Sequence, residues 1–268
     1  PSQYSCIAHP PTVFRAMLTG QPYPVRGMIT VAQNPVLSFP NTKLVYQALK
    51  NLDLYVVMDL FMTPTCQLAD YVLPAASWLE RPVISTGLDL APMLDVGEAV
   101  LPPVKEGEYD RRTEYDFWRG LGLRLGQERY WLWNSLEEVV DYRLAPLGYN
   151  LKDFMKTKGG FDSLPTEYKK YEKTGFATPT GKVELYSTIM EKLGYDPLPR
   201  YKEPPQPGEE YPLILITGGR ILQYYHSQQR QVTQLRRRHP DPIVQINPKT
   251  ASQLGIADGD WVWIETPT

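Results

Sequence analysis

The chain contains 268 residues, and its 28 Lys and Arg against 30 Asp and Glu give a net charge near −2 at pH 7. This balance excludes a large basic surface for nucleic acid, and 42% hydrophobic with 22% charged residues is typical of a globular protein. The two cysteines have no Cys/His cluster around them, which excludes a disulfide scaffold and a zinc or iron–sulfur site built by this chain alone.

The first part of the chain predicts a strand–helix–strand unit. Residues 25–32 (VRGMITVA) form an apolar run that is typical of a short buried strand. Residues 41–51 carry apolar side chains at helical spacing, and residues 52–61 contain a second strand-like run, YVVM. Two strands joined through a helix are parallel, so we expect a parallel sheet with a third strand at residues 71–73.

Polar side chains follow the first two predicted strands. In parallel sheets, ligands bind outside the carboxyl ends of the strands, and these ends carry Asn34 and Asp59. The two side chains can bind a nucleobase or a ribose; alternatively, Asn34 starts a turn and Asp59 caps a helix. Neither GxGxxG nor GxxxxGKS/T occurs, which excludes a standard nicotinamide or ATP site.

The middle of the chain predicts irregular structure and then short helices. Residues 80–112 are rich in Pro and Gly, which favours an irregular segment. Residues 200–211 (RYKEPPQPGEEY) have the composition of a linker and mark the best candidate domain boundary. The helices predicted between these segments cover residues 113–126, 134–143, 151–157 and 183–193.

After the linker, the pattern changes to strands. PLILITGG, PIVQINP and DWVWIETP predict three β-strands, with one or two helical turns from Pro248 to Leu254. Three strands are enough to begin a small β-barrel but not to close it. The pattern therefore predicts an α/β domain over residues 1–205 and an incomplete β-domain over residues 206–268.

The two ends of the chain suggest a piece of a longer protein. The sequence starts PSQYSC without an initiator Met or a signal segment, and it ends directly after a strand-like run. No apolar run approaches the roughly 18 residues that a membrane helix needs, so we expect no direct membrane insertion.

Four stretches of the sequence carry a resemblance to a known family. Two of them form long strings, D-x-F-x-T-x-T…ADxxLP…E and TGG-R…H-S…NP…A…LGI-DGD, in a fixed order. The chain resembles the C-terminal half of a molybdopterin oxidoreductase of the dimethyl sulfoxide reductase family. The four stretches are residues 32–41, 56–81, 175–187 and 215–267.

The resemblance implies a fold and a cofactor. Residues 1–205 would form a parallel-sheet, Rossmann-like α/β domain that binds one of two molybdopterin guanine dinucleotides. Residues 206–268 would begin the molybdopterin dinucleotide-binding β-barrel domain, which covers both pterins. The parent protein would carry bis(molybdopterin guanine dinucleotide) with molybdenum or tungsten, and the fragment alone would not retain it firmly.

Site residues in the first domain follow from the matching motifs. Asn34 and Asp59 resemble the residues that read the guanosine of one cofactor, because a carboxylate accepts from the guanine N1–H and N2–H₂ edge. Thr63, Thr65 and Asp70 lie in the same loop of the motif and are expected to support the site.

Arg81 stands directly after the Glu of the same motif, where the family often has Lys or Arg. It can contact cofactor phosphate or ribose. Alternatively, it forms a surface ion pair with Glu80 or Asp89.

Site residues in the second domain match two further segments of the motif. Glycine allows the backbone to approach a pterin or a phosphate closely, and arginine can donate bidentate hydrogen bonds to phosphate oxygens. The resemblance places these residues along the pterin: Thr217, Gly218, Gly219, Arg220, His226, Ser227 and Gln228.

The resemblance also implies parts that this chain lacks. The metal ligand, and a [4Fe–4S] cluster where a member has one, would lie in the missing N-terminal half, so no catalytic residue is assigned and the fragment alone should not turn over. That half would be the first partner, followed by an iron–sulfur electron-transfer subunit and a membrane-anchor subunit. A signal upstream of Pro1 would decide between twin-arginine export and the cytoplasm.

The implied activity is oxygen-atom or electron transfer in anaerobic respiration, as in dimethyl sulfoxide, thiosulfate or polysulfide reductases. One alternative is a non-redox relative, a hydratase or transhydroxylase, which metal redox cycling during turnover would distinguish. The other is a non-catalytic module that binds a guanine nucleotide or a partner protein.

Overall fold

The structure is a computed structural model that describes residues 8–86, 93–101, 110–163, 167–204, 206–219, 221–224 and 228–267. The described residues fall into two compact units, each drawn from separate parts of the chain. The first unit takes its residues from Pro1–Glu80, Pro102–Leu132 and Glu209–Thr268, and the second from Arg81–Leu101 and Trp133–Gly208.

The helices of the described residues are short. None of them is long and apolar enough to cross a membrane. In chain order they are α1 (Pro10–Thr19), α2 (Pro35–Ser38), α3 (Thr42–Lys50), α4 (Glu114–Arg124), α5 (Leu136–Leu144), α6 (Leu151–Lys158), α7 (Tyr171–Thr174), α8 (Thr188–Lys192), α9 (Thr233–Arg236) and α10 (Pro248–Gln253).

A parallel sheet forms the centre of the first unit. Its strands are β1 (Gly27–Val31), β2 (Leu54–Asp59) and β3 (Tyr71–Pro74), in the order β1-β2-β3. Both neighbouring pairs are parallel, because α3 and then a loop carry the chain back to the amino edge before each new strand. The predicted strand–helix–strand unit and its third strand are confirmed.

The core of the first unit lies between this sheet and its helices. Val45, Ala48 and Leu49 occupy one face of α3 at helical spacing, and each is at most 1% exposed. They pack with Tyr55 and Val57 of β2 and with apolar side chains of α1 and α2. The periodicity that predicts α3 is therefore the same periodicity that builds the core.

A fourth segment extends the sheet beyond β3. Arg112 forms a parallel bridge with Ala75, and its carbonyl accepts a hydrogen bond of 2.8 Å from the Ala76 amide. Thr113 then caps α4. Its hydroxyl accepts a hydrogen bond from the Asp116 amide, and the Asp116 carboxylate accepts one from the Thr113 amide. The helix predicted for residues 113–126 is confirmed, and it begins at the carboxyl edge of the sheet.

The second unit is built on an antiparallel sheet. Its strands are β4 (Val83–Ser85), β5 (Met93–Gly97) and β6 (Phe161–Ser163), in the order β4-β5-β6. Helices α5 and α6, both predicted, contribute buried side chains such as Leu144 and Phe154 to its core. The prediction that residues 80–112 are irregular is wrong at β4 and β5, because strands of three to five residues show little periodicity.

The helix predicted for residues 183–193 is confirmed only in its second half. Ser187 accepts a hydrogen bond of 3.2 Å from the Met190 amide and so caps α8 one residue before Thr188. Val183 precedes this cap and is 62% exposed. The predicted end is correct, since Gly194 follows the helix with a positive φ of 79°.

The strands predicted after the linker are absent from the described residues 206–219, 221–224 and 228–267. These stretches contain only α9 and α10, and Asn247 caps α10 by accepting from the Lys249 amide at 2.9 Å. Ile216 is 84% exposed and Trp263 is 95% exposed. A strand needs a neighbouring backbone to complete its ladder, and the three predicted segments do not supply one to each other. The mixed α/β class with a parallel sheet is confirmed, while no closed barrel is seen in the described residues.

Candidate functional site

The candidate site lies at the carboxyl edge of the parallel sheet. Val31, the last residue of β1, pairs with Met58, so the turn after β1 lies beside Asp59 at the end of β2. Ala32 donates a hydrogen bond of 3.1 Å to the Met58 carbonyl and adopts a left-handed φ of 54°. This conformation is unfavourable for alanine, and it turns the chain sharply so that Asn34 begins α2 at the sheet edge.

Thr65 fixes the orientation of the Asn34 amide. The Thr65 hydroxyl accepts from the Val36 amide at 3.2 Å and donates to Asn34 Oδ1 at 2.6 Å. Because the described residues offer the buried Thr65 proton no other acceptor, the Asn34 atom that it meets is the amide oxygen. Thr65 is completely buried, which holds this arrangement in place. The Asn34 NH₂ group has no hydrogen-bond acceptor among the described residues and keeps its donors for a ligand.

The Asp59 carboxylate is half-buried at the same edge. Its Oδ1 accepts a hydrogen bond of 3.2 Å from the Phe61 amide, and its backbone carbonyl accepts from the Ala75 amide at 3.1 Å. Its second carboxylate oxygen has no hydrogen-bond donor among the described residues. The edge thus offers an acceptor on Asp59, the last residue of β2, and a donor pair on Asn34, which follows the neighbouring strand β1.

Thr63 organises the loop that follows β2. Its hydroxyl accepts from the Cys66 amide at 3.2 Å and lies 3.2 Å from the Cys66 sulfur. These contacts start the 3₁₀ turn Cys66–Leu68, in which Cys66 is only 2% exposed. The structure therefore gives Thr63 a positioning role in the loop that carries Thr65.

Asp70 does not lie at this edge. Its Oδ2 accepts from the Tyr55 amide at 2.7 Å, and its own amide donates to the Tyr55 carbonyl at 2.8 Å. Tyr55 precedes Asp59 by four residues in β2, which separates them by about 13 Å along the strand. The expectation that Asp70 supports the same site is wrong in its placement, because a strand parallel to β2 must start at the amino edge.

Glu80 is held by partners that the sequence did not indicate. Its side chain is 8% exposed, and its oxygens meet the Ser77 amide at 2.8 Å and Arg111 Nη2 at 2.7 Å. The hydrogen bond from Ser77 and the charge of Arg111 hold the pKa of the Glu80 carboxyl below its ordinary value. Arg81 is half-buried and belongs to the second unit.

The residues predicted to line a pterin are only partly described. Thr217, Gly218, Gly219 and Gln228 are exposed, and no hydrogen bond among the described residues joins them to Asn34 or Asp59. The added Cβ of an alanine at Gly218 or Gly219 would meet no atom within 4 Å. The remaining residues predicted to line the pterin, Arg220, His226 and Ser227, lie outside the described residues, as does Asp89, the alternative ion-pair partner of Arg81.

A metal site is not visible in the parts of the chain that the structure describes. These parts contain no group of three or more His, Cys, Asp or Glu side chains that could hold a metal ion. The donor set at the carboxyl edge, one carboxylate and one amide, is suited to the polar edge of a nucleobase instead.

Two protein-family models match the chain. The model described as "Molybdopterin oxidoreductase" matches residues 14–121, which include β1, β2 and the candidate site. The model described as "Molydopterin dinucleotide binding domain" matches residues 213–268.

Individual relatives match almost the whole chain. It is 42% identical over 267 residues to acetylene hydratase of Syntrophotalea acetylenica, covering 97% of this chain and 36% of that protein. It is 31% identical to dopamine dehydroxylase of Eggerthella lenta, covering 98% of this chain and 33% of that protein. It is 25% identical to the molybdopterin-containing subunit of thiosulfate reductase from Salmonella typhimurium, covering 96% of this chain and 36% of that protein.

A solved structure shares the fold. The structure of acetylene hydratase from Pelobacter acetylenicus matches with a TM-score of 0.88 and 41% identity, covering 97% of this chain and 36% of that chain. The chain thus spans about a third of the length of the relatives that it matches.

Proposed function

The chain belongs to the molybdopterin oxidoreductase family, and from this premise we propose that it holds the guanosine end of a molybdopterin guanine dinucleotide. The observation that carries the proposal is the pair of side chains, Asn34 and Asp59, at the carboxyl edge of β1 and β2. The protein that contains this chain would be a bis(molybdopterin guanine dinucleotide) enzyme of molybdenum or tungsten.

Guanine has the hydrogen-bonding edge that these residues fit. Its N1–H and N2–H₂ groups are adjacent donors, which the open oxygen of the Asp59 carboxylate can accept. Its O6 and N7 atoms are acceptors for the NH₂ group that Thr65 leaves available on Asn34. Adenine lacks the N1–H donor and would place an acceptor against the carboxylate, so the site should select guanine.

Other residues of the chain would contact the rest of the cofactor. Thr217, Gly218 and Gly219 leave the backbone open for a pterin, since no side chain fills the space beside the glycines. The remaining residues proposed along the pterin and phosphates, on the family motif alone, are Arg81, Arg220, His226, Ser227 and Gln228.

The bound cofactor would supply the redox chemistry of its metal, which serves oxygen-atom or electron transfer in a dimethyl sulfoxide, thiosulfate or polysulfide reductase-like enzyme. The residues described above bind and orient it. Polypeptide beyond this chain would provide the metal ligand and any [4Fe–4S] cluster, and an iron–sulfur subunit and a membrane-anchor subunit would be the partners for electron transfer.

A second candidate activity is the addition of water without net redox change. It is favoured by one observation: the chain is 42% identical to a protein named acetylene hydratase, against 25% for the thiosulfate reductase subunit. The two candidates share the cofactor and the guanosine site. They differ in whether turnover requires an electron donor or acceptor.

The experiment uses the natural protein that contains this chain. Its molybdenum and tungsten are measured together with the guanosine monophosphate that acid hydrolysis releases. We expect one metal ion and two guanosine monophosphates per molecule. A protein that carries neither would overturn the proposal in favour of the non-catalytic binding module. For the metal-loaded protein, turnover that needs an external electron donor supports a reductase, and turnover without one supports a hydratase.

A further inference from the structure

An apolar run without a structural role follows Asp59. Leu60, Phe61 and Met62 are 49%, 49% and 66% exposed, although they come directly after the buried part of β2. The core of the sheet is already filled by Tyr55–Met58. These three side chains are therefore available for contact with a ligand or with another part of the protein.

Phe61 differs from its two neighbours in how its backbone is held. Its amide donates to Asp59 Oδ1 at 3.2 Å, and its carbonyl accepts from the Thr63 amide at 2.9 Å and from the Cys66 thiol at 3.4 Å. Leu60 and Met62 have no comparable contacts among the residues that the structure describes. The loop thus fixes the backbone of one half-exposed aromatic residue, whose amide bonds the carboxylate of the candidate site.

We propose that Phe61 is the stacking platform for the guanine base whose edge Asp59 reads. The inference rests on the proposed function, and it names the residue that covers a face of the base. Hydrogen bonds to Asp59 and Asn34 occupy the edge of the base and leave its two faces uncovered. The Phe61 backbone is fixed to the Asp59 carboxylate and its ring is half-exposed, so the ring is available to cover one face of the base and to exclude water from the hydrogen bonds made there.

The test measures binding of guanosine diphosphate (GDP) to the cofactor-free form of the natural protein that contains this chain, by ligand-observed NMR titration, with adenosine diphosphate (ADP) as the comparison nucleotide. We expect Phe61→Leu to weaken GDP binding about five- to a hundredfold, the range that the loss of one stacked base gives. We expect Phe61→Tyr to bind as the unmodified protein does. The guanine H8 signal should move upfield on binding to the unmodified protein and not on binding to Phe61→Leu.

Met62→Ala is the matched control, because Met62 is a neighbouring exposed apolar residue that carries no ring. We expect it to bind GDP normally, and circular dichroism should show that every variant is folded. Equal weakening by Met62→Ala and Phe61→Leu would overturn the inference, since general apolar cover would then explain the effect.

The inference and the proposed function fail in different ways. If the unmodified cofactor-free protein does not bind GDP, or does not prefer it to ADP, the guanosine site itself is refuted. If GDP binding is lost in Asp59→Asn but unchanged in affinity and H8 shift in Phe61→Leu, only the stacking role of Phe61 is refuted.

Discussion

Two regions of the chain carry the same kind of apolar run and fold differently. In β2, Tyr55–Met58 is buried and pairs with a strand on each side. Residues 213–216 (LILI) are 50–84% exposed and pair with no strand among the described residues. An apolar run therefore predicts that a segment can form a strand, whereas pairing and burial decide whether it does.

The difference follows from where each region finds its partners. β1 and β3 lie within 30 residues of β2 and leave both of its edges paired, and α3 covers the sheet. The region after the linker has two helices of four and six residues in its described parts and no element that covers its apolar side chains. The first region should therefore respond strongly to substitutions, and the second should not.

The largest expected effect is a cavity in the first region. Leu49→Ala removes a side chain that is 1% exposed, and we expect a loss of about 2–5 kcal/mol in the free energy of unfolding. Leu222→Ala is the matched substitution in the second region, where the leucine is 96% exposed, and it should change stability by less than about 0.5 kcal/mol. Urea denaturation measures both. Similar losses for the two variants would contradict the comparison.

A smaller effect is expected from a glycine that a rigid ring contacts. An alanine Cβ at Gly122 of α4 would lie 1.9 Å from Trp131 Nε1, so Gly122→Ala should cost about 1–3 kcal/mol. Two glycines serve as controls. In the same helix, the Cβ that Gly120→Ala adds would lie 3.5 Å from Arg124 Nη1, which is an ordinary contact. This variant should stabilise α4 by up to about 1 kcal/mol.

The Cβ that Gly218→Ala adds would have no atom within 4 Å, so this variant should leave the free energy of unfolding nearly unchanged. Thermal denaturation of the three variants tests the order. A Gly122→Ala variant as stable as Gly218→Ala would show that the contact with Trp131 does not constrain α4.

The smallest expected effect concerns pH. The pKa of Glu80 is lowered by the Ser77 amide and by Arg111. A carboxyl of this kind contributes its full stability above its unfolded pKa of about 4.3, and the contribution is lost as pH falls through the lower folded pKa. The free energy of unfolding should therefore fall more steeply below about pH 4.3 in the unmodified chain than in Glu80→Gln. Identical pH profiles would refute a stabilising role for this ion pair.

The sequence predicts the parts of the fold whose signals are local. The apolar periodicity of residues 41–51 and the runs on either side of it are enough for β1, α3 and β2 in parallel order. The pairing of β5 with β6 is not predictable in this way, because the two strands are short and distant in sequence. Ser187 starts α8 later than the apolar spacing alone predicts, since a cap overrides periodicity at a helix end.

The candidate site could be predicted in its two main residues but not in its connections. Asn34 and Asp59 follow from the rule that the carboxyl edge of a parallel sheet binds ligands. The hydrogen bond from Thr65 to Asn34 joins residues 31 positions apart, and no local pattern indicates it. The motif groups Asp70 with Thr63 and so predicts the same edge for both, whereas the parallel direction of β3 places Asp70 at the amino edge. The motif contains Phe61, but its exposure is not predictable, because an apolar residue directly after a buried strand gives no sign that it lies outside the core.

The most direct test of the guanosine site exchanges the hydrogen-bonding edge that Asp59 presents. Xanthine carries a carbonyl where guanine has its 2-amino group, so the amide of Asp59→Asn can donate to it. We expect the unmodified chain to prefer guanosine diphosphate over xanthosine diphosphate and Asp59→Asn to reverse that preference. Asp53→Asn, which removes a carboxylate paired with Arg26, should keep the original preference. An Asp59→Asn variant that still prefers guanosine diphosphate would contradict the assignment of this edge as the guanine site.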